Sequence, residues 1–414
     1  MPRNAQWWAD WAWQLYEYMP NALEDMGKRC VPFVLPWRTL RVPVSILRGP
    51  TRHSGRPGTL LVAGTRRTAG SIPRRFFACP PQLEVVGSLP VWSLPSTLRR
   101  LGPSADMVVA RVDRLSAQIF FRTNFLMVPE IVGTWLTVPD DLDALVRLSH
   151  SIKEDVRIVR RERLTQETSH MEADCEVFYH TMYVPFMRRR HGEFAVVRSL
   201  PQLRRAFHQG GIHWILSDGR RIAGRLFQQR NEVLHWLALG TADGEWRWVK
   251  AGAVAALYFF GIKHARDQRC TQIDLGGTAA VLTDGLLRYK RKWGSRLVGE
   301  RQTHYLYLVQ WERPTEQVTD FLADMPLIFY SRGRLAAVTA LKSRAPMGWE
   351  QASQAYRSLL IPGLQRLFVL TSDNHELSQR NFTPSNAQGS GTKGDCEIVF
   401  CKADEFLHRF GGAG

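Results

Sequence analysis

The sequence predicts an α/β protein built on a mixed sheet with helices on both faces. The first observation is the order of apolar segments between 172 and 312, where two helices precede three strands and the rest alternates helix and strand. The second is that the three central strands are joined by short turns at 218–219 and 230–231, as in an antiparallel meander. The third is that a long helix precedes the next strand, which indicates a crossover to a parallel neighbour.

Length and charge restrict the class of protein. A chain of 414 residues is too long for one compact core, so more than one domain is expected. Its 55 Lys and Arg against 38 Asp and Glu give a net charge of +17, which favours polyanionic partners such as tRNA, nucleotide-bearing donors such as CoA, or anionic lipid. A basic chain without such a partner is the open alternative.

The cysteine spacing argues against a zinc-binding protein, and the lengths of the apolar runs argue against a membrane-spanning one. The six cysteines have no zinc-binding spacing, so no metal is predicted, and scattered cysteines are typical of reduced thiols in a cytoplasmic protein. No apolar run reaches the roughly 18 residues that a membrane span needs, and no secretory signal is recognised.

Residues 1–29 are predicted to form an aromatic helix. Its apolar positions recur at helical spacing; they are Trp7, Trp8, Trp11, Leu15, Tyr18 and Met19. Trp and Tyr favour the membrane–water interface, so residues 7–19 are a candidate for peripheral contact with the inner face of a membrane. Packing of this stripe on the protein's own surface is the alternative, and the acidic polar face favours it.

The elements that follow divide the chain into three further parts. Residues 30–138 are expected to form an amino-terminal α/β domain with strands at 59–63, 107–112 and 118–121 and a helix near 96–101. Residues 139–312 carry the predicted catalytic domain. Its helices are expected at 140–149, 151–163, 172–190, 200–208, 248–266 and 284–293, and its strands at 212–216, 222–228, 233–239, 271–275 and 304–311. Residues 313–414 form a mixed appendix with a flexible loop at 384–395.

One segment resembles a known family. Residues 273–294 read IDLGGTAAVLTDGLLRYKRKWG, a strand ending in Asp and Gly before a helix with an aromatic-Lys pair and a closing aromatic-Gly. This resembles the signature of the Fem-type peptidyltransferases and the cellulose-biosynthesis-type acetyltransferases of the GNAT superfamily. The matching positions are Asp274, Gly276, Gly277, Gly285, Tyr289, Lys290, Trp293 and Gly294. A second match, FYHTMYVPFMRRRHG at 178–192, extends the resemblance to roughly residues 130–312.

The resemblance implies a GNAT fold in which residues 165–312 form one sheet, with the strands at 233–239 and 271–275 splayed apart to admit a donor. It also leaves open a diverged second GNAT-like half at the amino terminus. The usual pyrophosphate-binding loop of the superfamily is absent between 240 and 253. A helix starting near residue 248 would still present free backbone N–H groups to an anion, with charge from Arg247 and Lys250 and close approach at Gly252. Gly276 and Gly277 complete the donor-binding candidates.

The catalytic candidates follow from the chemistry of amine acylation. Lys290 faces away from its basic neighbours on the predicted helix, so it is a candidate for oxyanion or donor-phosphate binding, and Tyr289 for returning a proton. Asp274, Glu232 and His235 are candidates for taking the ammonium proton, and His235 also for binding the acceptor. A solvated helix face for Lys290, a turn cap for Asp274 and a core position for His235 are the alternatives. Three residues resemble the acceptor-side turn of the family: Arg189, Arg190 and His191.

Three functions therefore follow as expectations. The leading one is an N-acyltransferase that moves an acyl group from acyl-CoA to an amine of a sugar, an envelope precursor or a specialised metabolite. The second is an aminoacyl-tRNA-dependent aminoacyl or peptidyl transferase, which suits the net charge of +17. The third is a non-catalytic binding protein with a GNAT fold.

Overall fold

The computed structural model describes residues 40–64, 72–121, 124–147, 149–192, 195–299, 304–341, 349–371, 381–382 and 396–411. The aromatic stretch at 1–29 and the loop at 384–395 lie outside these residues. Among the described residues, no helix has the length and apolar character required to cross a membrane.

Eighteen strands are described. In chain order they are β1 Arg41–Pro50, β2 Pro57–Ala63, β3 Gln82–Pro90, β4 Met107–Asp113, β5 Leu126–Pro129, β6 Ile131–Thr137, β7 Thr165–Ser169, β8 Gly210–Ser217, β9 Arg220–Arg230, β10 Val233–Thr241, β11 Gln272–Ala279, β12 Arg296–Val298, β13 Tyr305–Gln310, β14 Leu327–Ser331, β15 Arg334–Ala340, β16 Arg366–Thr371, β17 Asn381–Phe382 and β18 Glu397–Lys402.

The described α-helices connect and cover these strands. They are α1 Pro73–Phe76, α2 Leu94–Leu101, α3 Arg114–Phe120, α4 Leu142–Arg147, α5 His150–Arg161, α6 Glu172–Val177, α7 Val184–His191, α8 Leu200–Phe207, α9 Trp246–Lys250, α10 Ala253–Asp267, α11 Gly285–Lys292, α12 Glu316–Asp324, α13 Trp349–Arg357 and α14 Phe406–Phe410. A π-helix at Phe178–Tyr183 joins α6 to α7. The helix expected at 172–190 therefore forms as three consecutive segments.

The strands make two mixed sheets. The smaller has seven strands in the order β12-β6-β11-β10-β9-β8-β7, with β10 and β11 parallel and the other neighbours antiparallel. The larger has eleven strands in the order β17-β18-β16-β15-β14-β5-β13-β4-β2-β1-β3. The α/β fold with mixed sheets that the sequence predicts is confirmed, and the elements from α6 to β11 follow the predicted order.

Both faces of the seven-stranded sheet are covered by helices. One face packs on α5, α10 and α11 through a core that includes Ile152, Val156, Leu257 and Trp293. The opposite face packs on α6, the π-helix and α8 through Phe178, Leu203 and Trp214 among others. Side chains along a strand alternate between the faces, so each residue of β10 and β11 is assigned to one of these two cores.

Two expectations are corrected by the structure. The strand expected at 304–311 forms as β13, but it pairs with β4 and β5 in the larger sheet. Its expected place in the smaller sheet is taken by β6, which precedes the predicted domain in sequence and pairs with β11. The segment 118–121 is not a strand, because Asp113 begins α3 by accepting a hydrogen bond from the backbone N–H of Ser116 at 2.9 Å.

The two sheets share continuous chain. β5 lies in the larger sheet and β6 in the smaller, with only Glu130 between them. Beyond β11, the backbone N–H groups of Leu282 and Ile328 join the segment 280–282 to the start of β14. The amino-terminal strands β1–β4 therefore belong to the same sheet as the carboxy-terminal strands β14–β18.

Candidate functional site

A gap opens between β10 and β11 at the middle of the smaller sheet. These parallel strands pair only where 233–235 faces 272–274, although both continue for several residues. β10 bulges against β9 between Trp236 and Ala238, and β11 bulges against β6 between Asp274 and Gly277. Bulges bend the strand that carries them, so the two strands separate directly after their last paired residues. The splayed pair expected at 233–239 and 271–275 is present.

His235 and Asp274 are that last pair, and their side chains are in contact. His235 Nδ1 lies 3.2 Å from Asp274 Oδ2, with the His side chain 23% exposed and the carboxylate 9% exposed. Asp274 Oδ1 also accepts a hydrogen bond from the backbone N–H of Gly276 at 2.8 Å. The carboxylate therefore holds the glycine bulge and the imidazole at once, and it leaves Nε2 as the ring nitrogen turned away from Asp274.

Lys290 supports the same bulge from α11. Its side chain is buried, and Nζ donates hydrogen bonds to the carbonyl oxygens of Gly276 and Gly277, both at 3.1 Å. Thr134 Oγ1 of β6 donates to the Gly276 carbonyl at 2.7 Å. Gly276 has φ +81°, a left-handed conformation in which a side chain is strained. As predicted, Lys290 points in a different direction from the exposed Arg288. The group that Lys290 contacts, however, is the glycine bulge of β11.

Tyr289 directs its hydroxyl from α11 toward α5. The hydroxyl donates to Asp155 Oδ2 at 3.4 Å, and Lys292 Nζ lies 2.5 Å from the same oxygen. Burial, followed by the charge of Asp155 and by Tyr258, raises the pKa of Tyr289 well above its usual value. Tyr289 therefore stays protonated at neutral pH and ties α11 to α5.

The helix expected to begin near residue 248 and to bind an anion at its start has a different form. Instead of one helix at 248–266 there are two, α9 and α10, separated by Gly252 at φ +87°. A Cβ at Gly252 would lie 2.8 Å from Ile158 Cγ2 of α5, so this glycine admits a neighbouring helix rather than a ligand. Arg247 and Lys250 are exposed on α9, and Arg247 forms an ion pair with Glu245. They are not brought to the His235–Asp274 pair.

Two other candidate groups also lie apart from this pair. Glu232 is exposed in the turn before β10, three residues from His235 and hence about 10 Å along the strand, at the closed end of the gap. Arg189, Arg190 and His191 are exposed at the end of α7, where the Arg190 guanidinium lies 6.0 Å from the Trp246 ring centre. Partial burial and the charge of Arg190 lower the pKa of His191, and the charge of Asp284 opposes this.

Reasoning from the sequence missed Thr134 and Asp155, which hold the bulge and α11. Thr134 stands in the alternating run IVGTWLT at 131–137, a signal for a strand that carries no information about its partner. A cleft of about 480 Å³ also lies beside the π-helix, with Glu167, Thr181 and Asp243 in its lining. None of the residues singled out from the sequence lines it. The described part of the chain contains no group of three or more His, Cys, Asp or Glu able to hold a metal ion.

Comparisons with known proteins identify distant structural likeness. No protein-family profile and no curated protein match the chain. Among solved structures it resembles FemX at 12% identity and a TM-score of 0.35, covering 67% of this chain and 90% of that one. It resembles L-PGS from Bacillus licheniformis at 12% identity and 0.34, covering 73% and 95%. A GCN5-related N-acetyltransferase from Kribbella flavida is similar at 10% identity and 0.29, covering 81% and 76%.

TM-scores of 0.35 and below are too low for the likeness to carry an argument about donor, acceptor or reaction.

Proposed function

We propose that the chain is an N-acyltransferase whose reaction centre is the gap between β10 and β11. The observation that carries the proposal is the His235–Asp274 pair at the point where the strands separate. An imidazole held by a carboxylate is a general base that works near neutral pH, and amine acylation needs such a base. The motif around Asp274, Tyr289 and Lys290 that resembles the Fem-type branch supports the same reaction class.

In the proposed reaction the acceptor amine attacks the carbonyl carbon of the donor, and a C–N bond forms while the carbonyl oxygen becomes an oxyanion. His235 Nε2 takes the proton from the new ammonium group, with Asp274 orienting the ring. The tetrahedral intermediate then collapses, the bond to the leaving sulfur or oxygen breaks, and that atom takes up the proton that His235 had removed. Beyond His235 the edge of β10 that faces β11 pairs with no described strand, so its backbone N–H groups are candidates to stabilise the oxyanion.

Lys290 enters this scheme as a positioning residue. Its ammonium group holds the carbonyls of the Gly276–Gly277 bulge, and that bulge also donates a hydrogen bond to Asp274. The lysine would thus act on the reaction through the geometry of Asp274 and His235.

The donor we propose first is an acyl-CoA thioester, with a small-molecule or glycan amine as acceptor. An aminoacyl-tRNA donor is the second candidate, and one observation favours it. Ile158 of α5 packs against Gly252 at the start of α10, which reduces the room for a pyrophosphate at that helix end. The net charge of +17 also suits an RNA partner.

The test uses both donors with the full chain. Acetyl-CoA is mixed with a panel of amines and thiol release is measured; separately, label transfer from charged tRNA is measured with and without ribonuclease. Turnover with either donor that is lost in His235→Ala and kept in Glu232→Gln supports the proposal. The second variant is the matched control, because Glu232 lies at the closed end of the gap. Full turnover in His235→Ala would overturn the placement of the reaction centre.

A further inference from the structure

Arg225 of β9 is a buried cation with no carboxylate partner among the described residues. Its side chain is 1% exposed, and its Nη1 donates to the backbone carbonyl of Leu257 in α10 at 2.9 Å. Its Nη2 is buried and has no hydrogen-bond partner within the described part of the chain. Burial lowers the pKa of Arg225 to about 10, so it remains charged at neutral pH. A buried charge without a counter-charge destabilises a fold, so an anion that bound beside this guanidinium would stabilise it.

Two aromatic rings, those of Trp236 and Tyr258, lie over this guanidinium, and the rings of Tyr289 and Trp293 pack on Tyr258; we call these four rings the aromatic box. Arg225 Cζ lies 3.6 Å from the ring centre of Trp236 and 4.7 Å from that of Tyr258. Tyr258 in turn lies 5.0 to 5.5 Å from the other three rings. The indole Nε1 of Trp236 is also buried without an acceptor among the described residues. Two neighbouring N–H donors, Arg225 Nη2 and Trp236 Nε1, therefore lack acceptors within the described part of the chain.

The box lies at the gap. Arg225 is paired in register with Leu239, within the part of β10 that has left β11. Trp236 directly follows His235, and Tyr289 and Trp293 belong to the helix turn that carries Lys290. A group that enters between the separated strands meets the His235–Asp274 pair on one face of the sheet and the aromatic box on the other.

We propose that Arg225 and the aromatic box bind a carboxylate group of the substrate that enters this gap. A guanidinium and an indole N–H group supply donors for carboxylate oxygens, and one positive charge matches one negative charge. A phosphate dianion would need a second cation, and Lys292, the base beside Tyr289, is already paired with Asp155. The carboxylate belongs either to the transferred acyl group or to the acceptor amine. This assignment of substrate class rests on the proposed function, whereas binding itself is measured without turnover.

The binding test compares thermal unfolding of the full chain in acetate, propionate and succinate with unfolding in chloride at equal ionic strength. Wild-type protein is expected to gain melting temperature with carboxylate concentration, because a ligand that binds only the folded state stabilises it. Arg225→Met is expected to weaken the apparent affinity for carboxylate at least about tenfold, since the charged donor is lost. It should also melt at or above wild type without ligand, because an unpaired buried charge is removed.

Arg221→Met is the matched control. Arg221 also lies over an indole, with Cζ 4.6 Å from the Trp214 ring centre, but it is paired with Asp174 and Glu167. This variant should melt below wild type and keep the carboxylate response. If Arg225→Met does not fold, Arg225→Gln takes its place, and carbon-13 acetate line broadening in wild type measures binding directly. A carboxylate response that is absent in wild type, or equal in wild type and the Arg225 variant, overturns the proposal.

Activity arms identify the source of the carboxylate. A preference for succinyl-CoA over butyryl-CoA that disappears in the Arg225 variant assigns it to the acyl group. A preference for amino acids over alkylamines as acceptors that disappears in the Arg225 variant assigns the carboxylate to the acceptor. If neither donor supports turnover, the proposed function fails while the unfolding measurements still decide whether the carboxylate site exists.

Discussion

Lys290 Nζ and the carbonyl oxygen of Gly277 are joined by a hydrogen bond of 3.1 Å, although thirteen residues separate them in the chain. The bond couples α11 to the bulge of β11. It also changes the role of the lysine in the Tyr289–Lys290 pair. The sequence predicts that Lys290 faces a ligand, whereas in the structure it holds the backbone beside the His235–Asp274 pair.

Replacing Lys290 is therefore expected to affect stability as well as turnover. Lys290→Met leaves the Gly277 carbonyl without this donor, while the Gly276 carbonyl keeps Thr134. We expect the free energy of unfolding in urea to fall by about 1–3 kcal/mol. Lys290→Arg should restore little, because a planar guanidinium does not fit the place of a compact ammonium. Arg288→Met, on the exposed face of the same helix, should change stability by no more than about 0.5 kcal/mol, and an equal effect of both changes would contradict this role.

Asp274→Asn tests the orientation of His235. Asparagine keeps the size of the side chain and an oxygen for the Gly276 N–H, but it loses the charge that stabilises a protonated imidazole. We expect kcat to fall about 10²–10⁴-fold, the range for impaired general-base catalysis, with KM nearly unchanged. A steady-state profile that shows a raised KM and a normal kcat would instead assign Asp274 to substrate binding.

Acid should destabilise the fold through His213 of β8. Burial first, and then the charges of His264, Arg225 and His170, hold the pKa of His213 well below 6.5. The unfolded chain binds a proton near pH 6.5 that the folded chain excludes, so the contribution to stability is complete above that pH. It is lost as the pH falls below 6.5, with a slope of up to about 1.4 kcal/mol per pH unit.

His213→Phe should flatten this slope. The imidazole stacks on Phe227 with ring centres 4.1 Å apart, and both its nitrogens lack hydrogen-bond partners among the described residues, so a phenyl ring replaces it without losing a bond. Urea unfolding between about pH 5 and 8 measures the slope. Burial also lowers the pKa of His264, so His264 should account for a smaller remaining slope in the variant. An unchanged slope in the variant would exclude His213 as the source.

Gly252→Ala tests the contact between α5 and the start of α10. Alanine at φ +87° costs about 1–2 kcal/mol of backbone strain, and its Cβ would in addition meet Ile158. Gly55→Ala is the matched control, because Gly55 has φ +68° and no atom lies within 4 Å of the place that a Cβ would take, so only strain is added. Gly252→Ala should lower the free energy of unfolding clearly more than Gly55→Ala does. When Ile158→Ala is already present, Gly252→Ala should lower it only by the strain. An equal loss of unfolding free energy at both glycines would show that α5 moves aside without a measurable loss of stability.

The sequence predicts the central part of the smaller sheet well, because its information is local. The segments 212–216, 222–228 and 233–239 are short, mostly apolar runs separated by turns, where Asp218 and Asn231 adopt positive φ. The helix at 151–163 forms as α5, with Ser149 capping its first turn.

What the sequence does not predict depends on distant partners. β6 joins β11 across more than 130 residues, and alternation alone does not specify a neighbour. The helical position of Lys290 shows its direction, but the carbonyls opposite it exist only because β11 bulges. Arg225 stands in the stretch IAGRLF at 222–227, where it is the one polar residue, and only the folded structure shows that its charge lacks a carboxylate partner among the described residues.

The position of β6 between β11 and β12 has a practical consequence for anyone who wishes to excise the catalytic region. A fragment spanning 139–312 would lack the strand that supplies Thr134, so β11 would present an unpaired hydrogen-bonding edge. The same fragment would retain β13 without β4 and β5, the strands on either side of it. Both edges are templates for aggregation, so the region is not a portable module, and expression of a shortened form should begin upstream of residue 107, where β4 starts.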